Sequence, residues 1–152
     1  MPVVLAAPGT GKSHWVQKQE LWTDEDEWAA TRGLHSAEWH RKKHTEEDTV
    51  EHYRHIDAEL AKLPEDVYMI GSLYWDFVPD AIVLIDPVIH RERVRKRHDL
   101  HWHTVAEVVR DLQEKALRYG VPVFDSFDKA SEYVMHRRRS NRRGAFNDAT
   151  AR

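Results

Sequence analysis

Three groups of residues in this 152-residue sequence have the types and spacing to do chemistry. The first is Ala6-Ala7-Pro8-Gly9-Thr10-Gly11-Lys12-Ser13, set directly after Val3-Val4-Leu5. Small residues there let successive backbone N–H groups curl around a phosphate, and a following helix aims about half a positive charge at it. Lys12 adds a full charge for the outer phosphates, and the Ser13 hydroxyl can ligate Mg²⁺. Pro8, Gly9, Thr10, Gly11 and His14 complete the candidate cradle. The second group is Asp24-Glu25-Asp26. An acid here can help hold a metal's water shell or accept a proton from an attacking hydroxyl. The same residues also make an ordinary acidic helix start. Asp24, nearer the end of a strand, is preferred over Asp26 for the working acid. The third group is Arg91, Arg93, Arg95 and Arg97. On a helix Arg93 and Arg97 stand at i and i+4, so their guanidinium groups can clamp phosphates together through paired donors. Arg91 and Arg95 fall on a neighbouring face and read as solvated.

Something must hold these groups together, and the apolar pattern says what. Val3 to Ala6 is a short continuous apolar run, as expected of a central parallel strand covered on both faces. A helix from Lys12 to about Gln19 follows, then a second strand at Leu21-Trp22 whose tip carries the acids. A helix begins at once and stops at Gly33. Residues 36–63 read as helical. Thr45 with Glu46, Glu47 and Asp48 marks a start, Val50, Tyr53, Ile56 and Leu60 form a stripe, and Pro64 ends it. Strands are expected at Val67–Gly71 and Ala81–Asp86, and a basic helical stretch over Ile89–Arg97. Thr104-Val105-Ala106-Glu107 has the form of a capping box for a helix that ends at Gly120. Val121–Phe124 is a fifth strand, which Pro122 assigns to an edge or places at the strand's start. Asp125 or Ser126 then caps a final helix to about Arg138. Strands interleaved with helices predict an α/β fold, a five-stranded parallel sheet with helices on both faces. Ser13, Asp24, Asp26, Gly71, Asp86 and Asp125 all fall at or just past strand ends, where such sheets bind ligands.

Composition bounds the reading. Forty-one per cent apolar and thirty-two per cent charged residues suit a globular protein. No apolar run approaches the ~18 residues that span a bilayer, and the first strand begins too early for a targeting segment, so a cytoplasmic protein is expected. The absence of cysteine excludes disulfides and Cys-ligated zinc. Six arginines in residues 136–152, against Asp148 alone, make that stretch +5 and leave −8 for the rest of a chain of net charge −3. It is expected to be a solvated, partly disordered tail.

The Ala6–Ser13 run resembles the Walker A motif of P-loop nucleotide-binding proteins, GxxxxGK[ST], with Ala6 standing where the first Gly usually does. The Asp80–Pro87 strand followed by Glu92-Arg93-Val94-Arg95-Lys96-Arg97 looks like the fourth strand and lid entry of nucleoside monophosphate kinases. In size, and in the Trp22–Trp28 segment, the chain is most similar to compact, phage-type deoxynucleoside monophosphate kinases. The resemblance implies a three-layer P-loop kinase domain over residues 1–135, with a short helical lid at about 88–104 and acceptor-binding helices at about 25–63. It also implies that Pro8 to His14 bind ATP, that Ser13 holds Mg²⁺, and that Lys12, Asp24, Arg93 and Arg97 are catalytic. Asp24, Asp26, Arg32, Arg41, Gly71 and Trp75 become the acceptor-site candidates, Trp75 by stacking on the base. Two departures stand out: the third strand ends in Gly71-Ser72 without the usual D-G, and no second R-x-D-D follows the lid.

The implied activity is ATP-dependent phosphoryl transfer to a (deoxy)nucleoside 5′-monophosphate. Polynucleotide 5′-hydroxyl kinases share the GKS-x-W pattern of Lys12-Ser13-His14-Trp15 and are an alternative, as are small-metabolite kinases of the shikimate-kinase type. A nucleotide-switched nucleic-acid-binding module is a rival of another class, built on the arginines of 137–143, though these read better as solvated. His98, His101 and His103 match no zinc spacing, and His40, His44, His52 and His55 are expected on solvated helix faces. Homo-oligomerisation is left open.

Overall fold

The computed structural model describes residues 1–36, 38–39, 42–72 and 78–150, of which the side chains of 146–150 are excepted. In chain order the elements are β1 (Val3–Ala6), α1 (Lys12–Val16), β2 (Trp22–Asp24), α2 (Glu25–Thr31) and α3 (Glu46–Leu60). They continue with β3 (Tyr68–Gly71), β4 (Ala81–Val83), α4 (Pro87–Arg95), α5 (Trp102–Tyr119), β5 (Val123–Phe124) and α6 (Phe127–Thr150). All five strands pair in parallel, in the order β2-β3-β1-β4-β5.

Every residue of β1 is buried, and successive side chains go to opposite faces. Val3 and Leu5 join a core made with Trp28, Ile56, Leu60, Val94, Val105 and Leu112 from α2, α3, α4 and α5. Val4 and Ala6 join the other core, with Val16 of α1 and Phe127, Ala130 and Val134 of α6. The sheet is therefore the middle layer of three, as the continuous apolar strands require. The connection from β1 runs one way across the sheet to β2, while β4 and β5 lie the other way. The turn after β1 thus sits where the crossovers diverge, at the carboxyl edge.

Several boundaries differ from the sequence expectations. Over 36–63 the described helical residues are 38 and 39 and α3, whose start is fixed by a reciprocal capping box between Thr45 and Asp48. The helix at Ile89 begins earlier, at Pro87, with Asp86 accepting from the backbone N–H groups of Val88 and Ile89. It ends at Arg95, before Arg97. α5 begins at Trp102, whose ring packs edge-on against His90, so Thr104 lies inside the helix rather than capping it, and His101 stands at the N-cap without a side-chain hydrogen bond. β5 lies at the sheet edge, where Pro122 needs no backbone N–H partner and its carbonyl accepts from Ile82. α6 does not stop near Arg138 but continues to Thr150, so the basic stretch is helical, with Arg138 half-buried and residues 139–145 exposed. Among the described residues no helix is long and apolar enough to cross a membrane.

Candidate active site

The turn from Ala7 to Gly11 is bent by two glycines in the left-handed region, Gly9 at φ 81° and Gly11 at φ 102°. Thr10 closes it locally, its backbone N–H and hydroxyl both reaching the Ala7 carbonyl, the hydroxyl at 2.6 Å. Two side chains of α4 hold it from outside. The Nε2–H of His90 donates to the Pro8 carbonyl at 2.8 Å, and Arg93 Nη1 donates to the Thr10 carbonyl at 2.9 Å. The fit is close: a Cβ on Gly9 would come within 2.7 Å of Val94 Cγ2.

Lys12 opens α1 and is buried, while Ser13 and His14 beside it are exposed. The Ser13 hydroxyl donates to Asp24 Oδ2 at 2.8 Å. The other Asp24 oxygen caps α2 by accepting from the Asp26 N–H at 2.9 Å. Lys12 Nζ stands 3.4 Å from Asp26 Oδ2, a loose contact on a side chain that is 61 % exposed. Ser13, Asp24 and Asp26 line a cavity of about 370 Å³ between α1 and α2. Gly71, at the end of β3, has a steric role: a Cβ there would overlap the buried Glu25 carboxylate, 1.8 Å from Oε2. Ser72 next to it donates to the Ala6 carbonyl at 2.8 Å.

The structure thus brings together Pro8, Gly9, Thr10, Gly11, Lys12, Ser13, Asp24, Asp26 and Arg93. Arg97 is placed elsewhere. Beyond the end of α4, it forks onto Asp99 with Nε–Oδ1 at 3.0 Å and Nη2–Oδ2 at 2.6 Å. That guanidinium holds the Asp99 carboxyl below its usual value. Arg32, past the end of α2, lies over the Trp28 ring at 4.6 Å. Arg41 and Trp75 lie outside the described residues. Of the strand-end acids, Asp86 caps α4, and Asp125 pairs with Lys129 at 2.8 Å, which lowers its pKa.

His90 was hidden in the sequence as one member of a basic run. The available signal was its place four residues before Val94, which puts both on the buried face of α4. His44 and His52 are likewise not on solvated faces. They sandwich Trp39 at 4.1 and 4.0 Å between ring centroids, nearly parallel. His55 is exposed, and His40 lies outside the described residues. His98, His101 and His103 are all exposed, and His103 pairs with Glu107 at 3.3 Å.

Comparison with models of known protein families and with curated proteins finds no match to the sequence.

Proposed function

We propose that this chain is a P-loop phosphotransferase that moves the γ-phosphoryl group of ATP to a (deoxy)nucleoside 5′-monophosphate. The observation that carries this reading is the meeting, at one sheet edge, of a glycine-bent turn, Lys12, the Ser13–Asp24 pair and Arg93. The position of the turn where crossovers diverge supports a P-loop fold. Phosphoryl transfer between phosphates asks for alignment and positive charge rather than covalent help. The backbone N–H groups of the turn and Lys12 would receive the β- and γ-phosphates, Lys12 exchanging its loose contact with Asp26 for them. Arg93 is already anchored on the turn, and a guanidinium carries five donors, so one bond to Thr10 does not exhaust it. Ser13 and Asp24 offer the hard oxygen donors that suit Mg²⁺, which when bound neutralises phosphate charge. The acceptor would lie toward α2 and α3, with Arg32 the described candidate for its phosphate. Closure of the segment around 88–104 would exclude water and limit wasteful hydrolysis.

A polynucleotide 5′-hydroxyl acceptor is the second reading, and Asp26 favours it. A hydroxyl must lose a proton during attack, whereas a phosphate acceptor is already anionic, and Asp26 is an exposed carboxylate at the mouth of the site. Coupled ADP release over a panel of nucleoside and deoxynucleoside monophosphates, with a 5′-hydroxyl oligonucleotide alongside, separates the two. Turnover with a monophosphate supports the first reading, turnover with the oligonucleotide alone supports the second, and none with either defeats both.

A further inference from the structure

A second cavity, of about 630 Å³, lies between α4 and α5 beyond the end of β4. Its volume is within the ordinary range for small-molecule sites. It is not the phosphate turn seen from another side. Arg93 faces the turn, while Arg91, two residues earlier and so about 200° around the helix, lines this cavity. The walls include Ile85, Trp102 and Val109, which are apolar and only half-buried. α5 therefore leaves part of its apolar stripe uncovered toward α4. The rim has one sign. Arg91, Arg110 and His103 line it, all exposed, and among the described residues no carboxylate lines the cavity, although Glu107 pairs with His103 from outside.

We propose that this α4–α5 groove binds a small organic anion with a flat apolar body, the ring system lying against Trp102 and Val109 and the anionic group between Arg91 and Arg110. The commitment to an anion follows from the charge of the lining. A cation would meet two guanidinium groups, with Glu107 engaged by His103 outside the lining, and a neutral apolar molecule would leave both guanidinium groups unused. The commitment to a flat body follows from the indole and the shallow aliphatic floor. The groove also touches the candidate active site through one residue. His90 is part of its wall, packs edge-on against Trp102 at 5.3 Å, and donates to the Pro8 carbonyl. A ligand that presses on Trp102 therefore acts on the side chain that holds the turn. The groove does not rest on the kinase reading, since its lining shares no side chain with Lys12, Ser13 or Asp24.

The test uses 1-naphthyl phosphate as probe, with 1-naphthol and inorganic phosphate as the two halves of its chemistry. Binding is followed by calorimetry and by amide chemical shifts on the intact protein. The expected result is saturable one-to-one binding of 1-naphthyl phosphate that shifts the Trp102 indole, with each half-molecule weaker by about tenfold or more. Arg91→Glu with Arg110→Glu should weaken the probe by about tenfold or more, since a charge-assisted pair becomes a repulsion. Ala106→Phe should do the same by filling the floor while leaving the charges in place. Lys12→Ala should leave the probe's affinity unchanged. Equal binding of 1-naphthol, binding lost in Lys12→Ala but kept in the charge-reversed protein, or no binding by any probe overturns the proposal. Thermal melts of each variant against the parent establish that the fold is kept. Because the groove and the phosphate turn are read by different variants, failure of ATP turnover leaves this result standing, and the reverse.

Discussion

The turn at residues 7–11 and the aromatic patch around Trp39 are held in opposite ways. In the turn the acceptors are backbone carbonyls of Ala7, Pro8 and Thr10, so the shape depends on glycines and on three side-chain donors. Around Trp39 the contacts are ring on ring. His44 and His52 stack on its two faces, His35 Nδ1 lies 2.8 Å from His52 Nε2, and Tyr53 stands edge-on. A backbone-built site leaves a short, recognisable signature in sequence, because few residues can adopt its dihedrals. A side-chain stack scattered over residues 35–53 leaves none, since any of its members could equally be an exposed polar residue. Under the proposed function, the first arrangement suits a ligand feature shared by all nucleotides, and the second suits recognition of something particular.

The largest expected effect tests the turn. Under the proposed function, Lys12→Ala should lower turnover by about 10²–10³-fold, the usual cost of removing one group that stabilises developing charge. ADP release measures it, and a melting temperature close to the parent's separates this loss from unfolding. Next, Gly9→Ala combines a positive φ with a 2.7 Å approach to Val94 Cγ2 and should cost about 1–3 kcal/mol in urea unfolding. No change would mean that α4 is not seated on the turn as described.

Trp39→Ala removes two stacked partners worth about 0.5–1.5 kcal/mol each. It should destabilise the protein by about 1–3 kcal/mol and, under the proposed function, which puts the acceptor toward α2 and α3, raise the acceptor KM while leaving the ATP KM unchanged. If the two regions are independent, the Gly9→Ala and Trp39→Ala costs should add to within about 0.5 kcal/mol. A larger discrepancy would break the comparison.

The smallest effect concerns Arg97. Asp99→Ala should leave stability unresolved from the parent, because both groups of the fork are largely exposed. The Asp99 pKa is lowered, chiefly by its hydrogen bond from Arg97, so the charged form and the fork persist through neutral pH. They are lost only as pH falls through that lowered value. The Arg97 Nε–H resonance should therefore stay put between pH 7 and 5, and movement in that window would contradict the fork.

The parallel sheet was legible because its strands are apolar on both faces, and Val3–Ala6 and Ala81–Val83 could hardly be anything else. The cap at Thr45 and the stop at Gly120 were legible because each rests on local chemistry. What escaped was set by tertiary contact. Arg97 follows Arg93 at helical spacing, yet α4 ends at Arg95 and Asp99 takes the guanidinium. The expected capping box at Thr104 is not formed, because α5 starts at Trp102, whose ring reaches His90. His90, which ties helix to turn, lay unremarked inside a run of arginines. The glycine-bent turn itself was the clearest part of the candidate site, and Asp24 was placed correctly at the end of β2.

The last helix has one further consequence. Its first two turns are buried against the sheet, with Trp15 donating to Asp128 at 2.8 Å, and Arg138 reaches back to Glu65 and Tyr68 where β3 begins. A parallel sheet presents its strand starts on the side away from its ligand edge. Whatever is attached along the outer turns of this rod, a dye, a bead or a surface, would therefore stand behind the molecule and leave the front open.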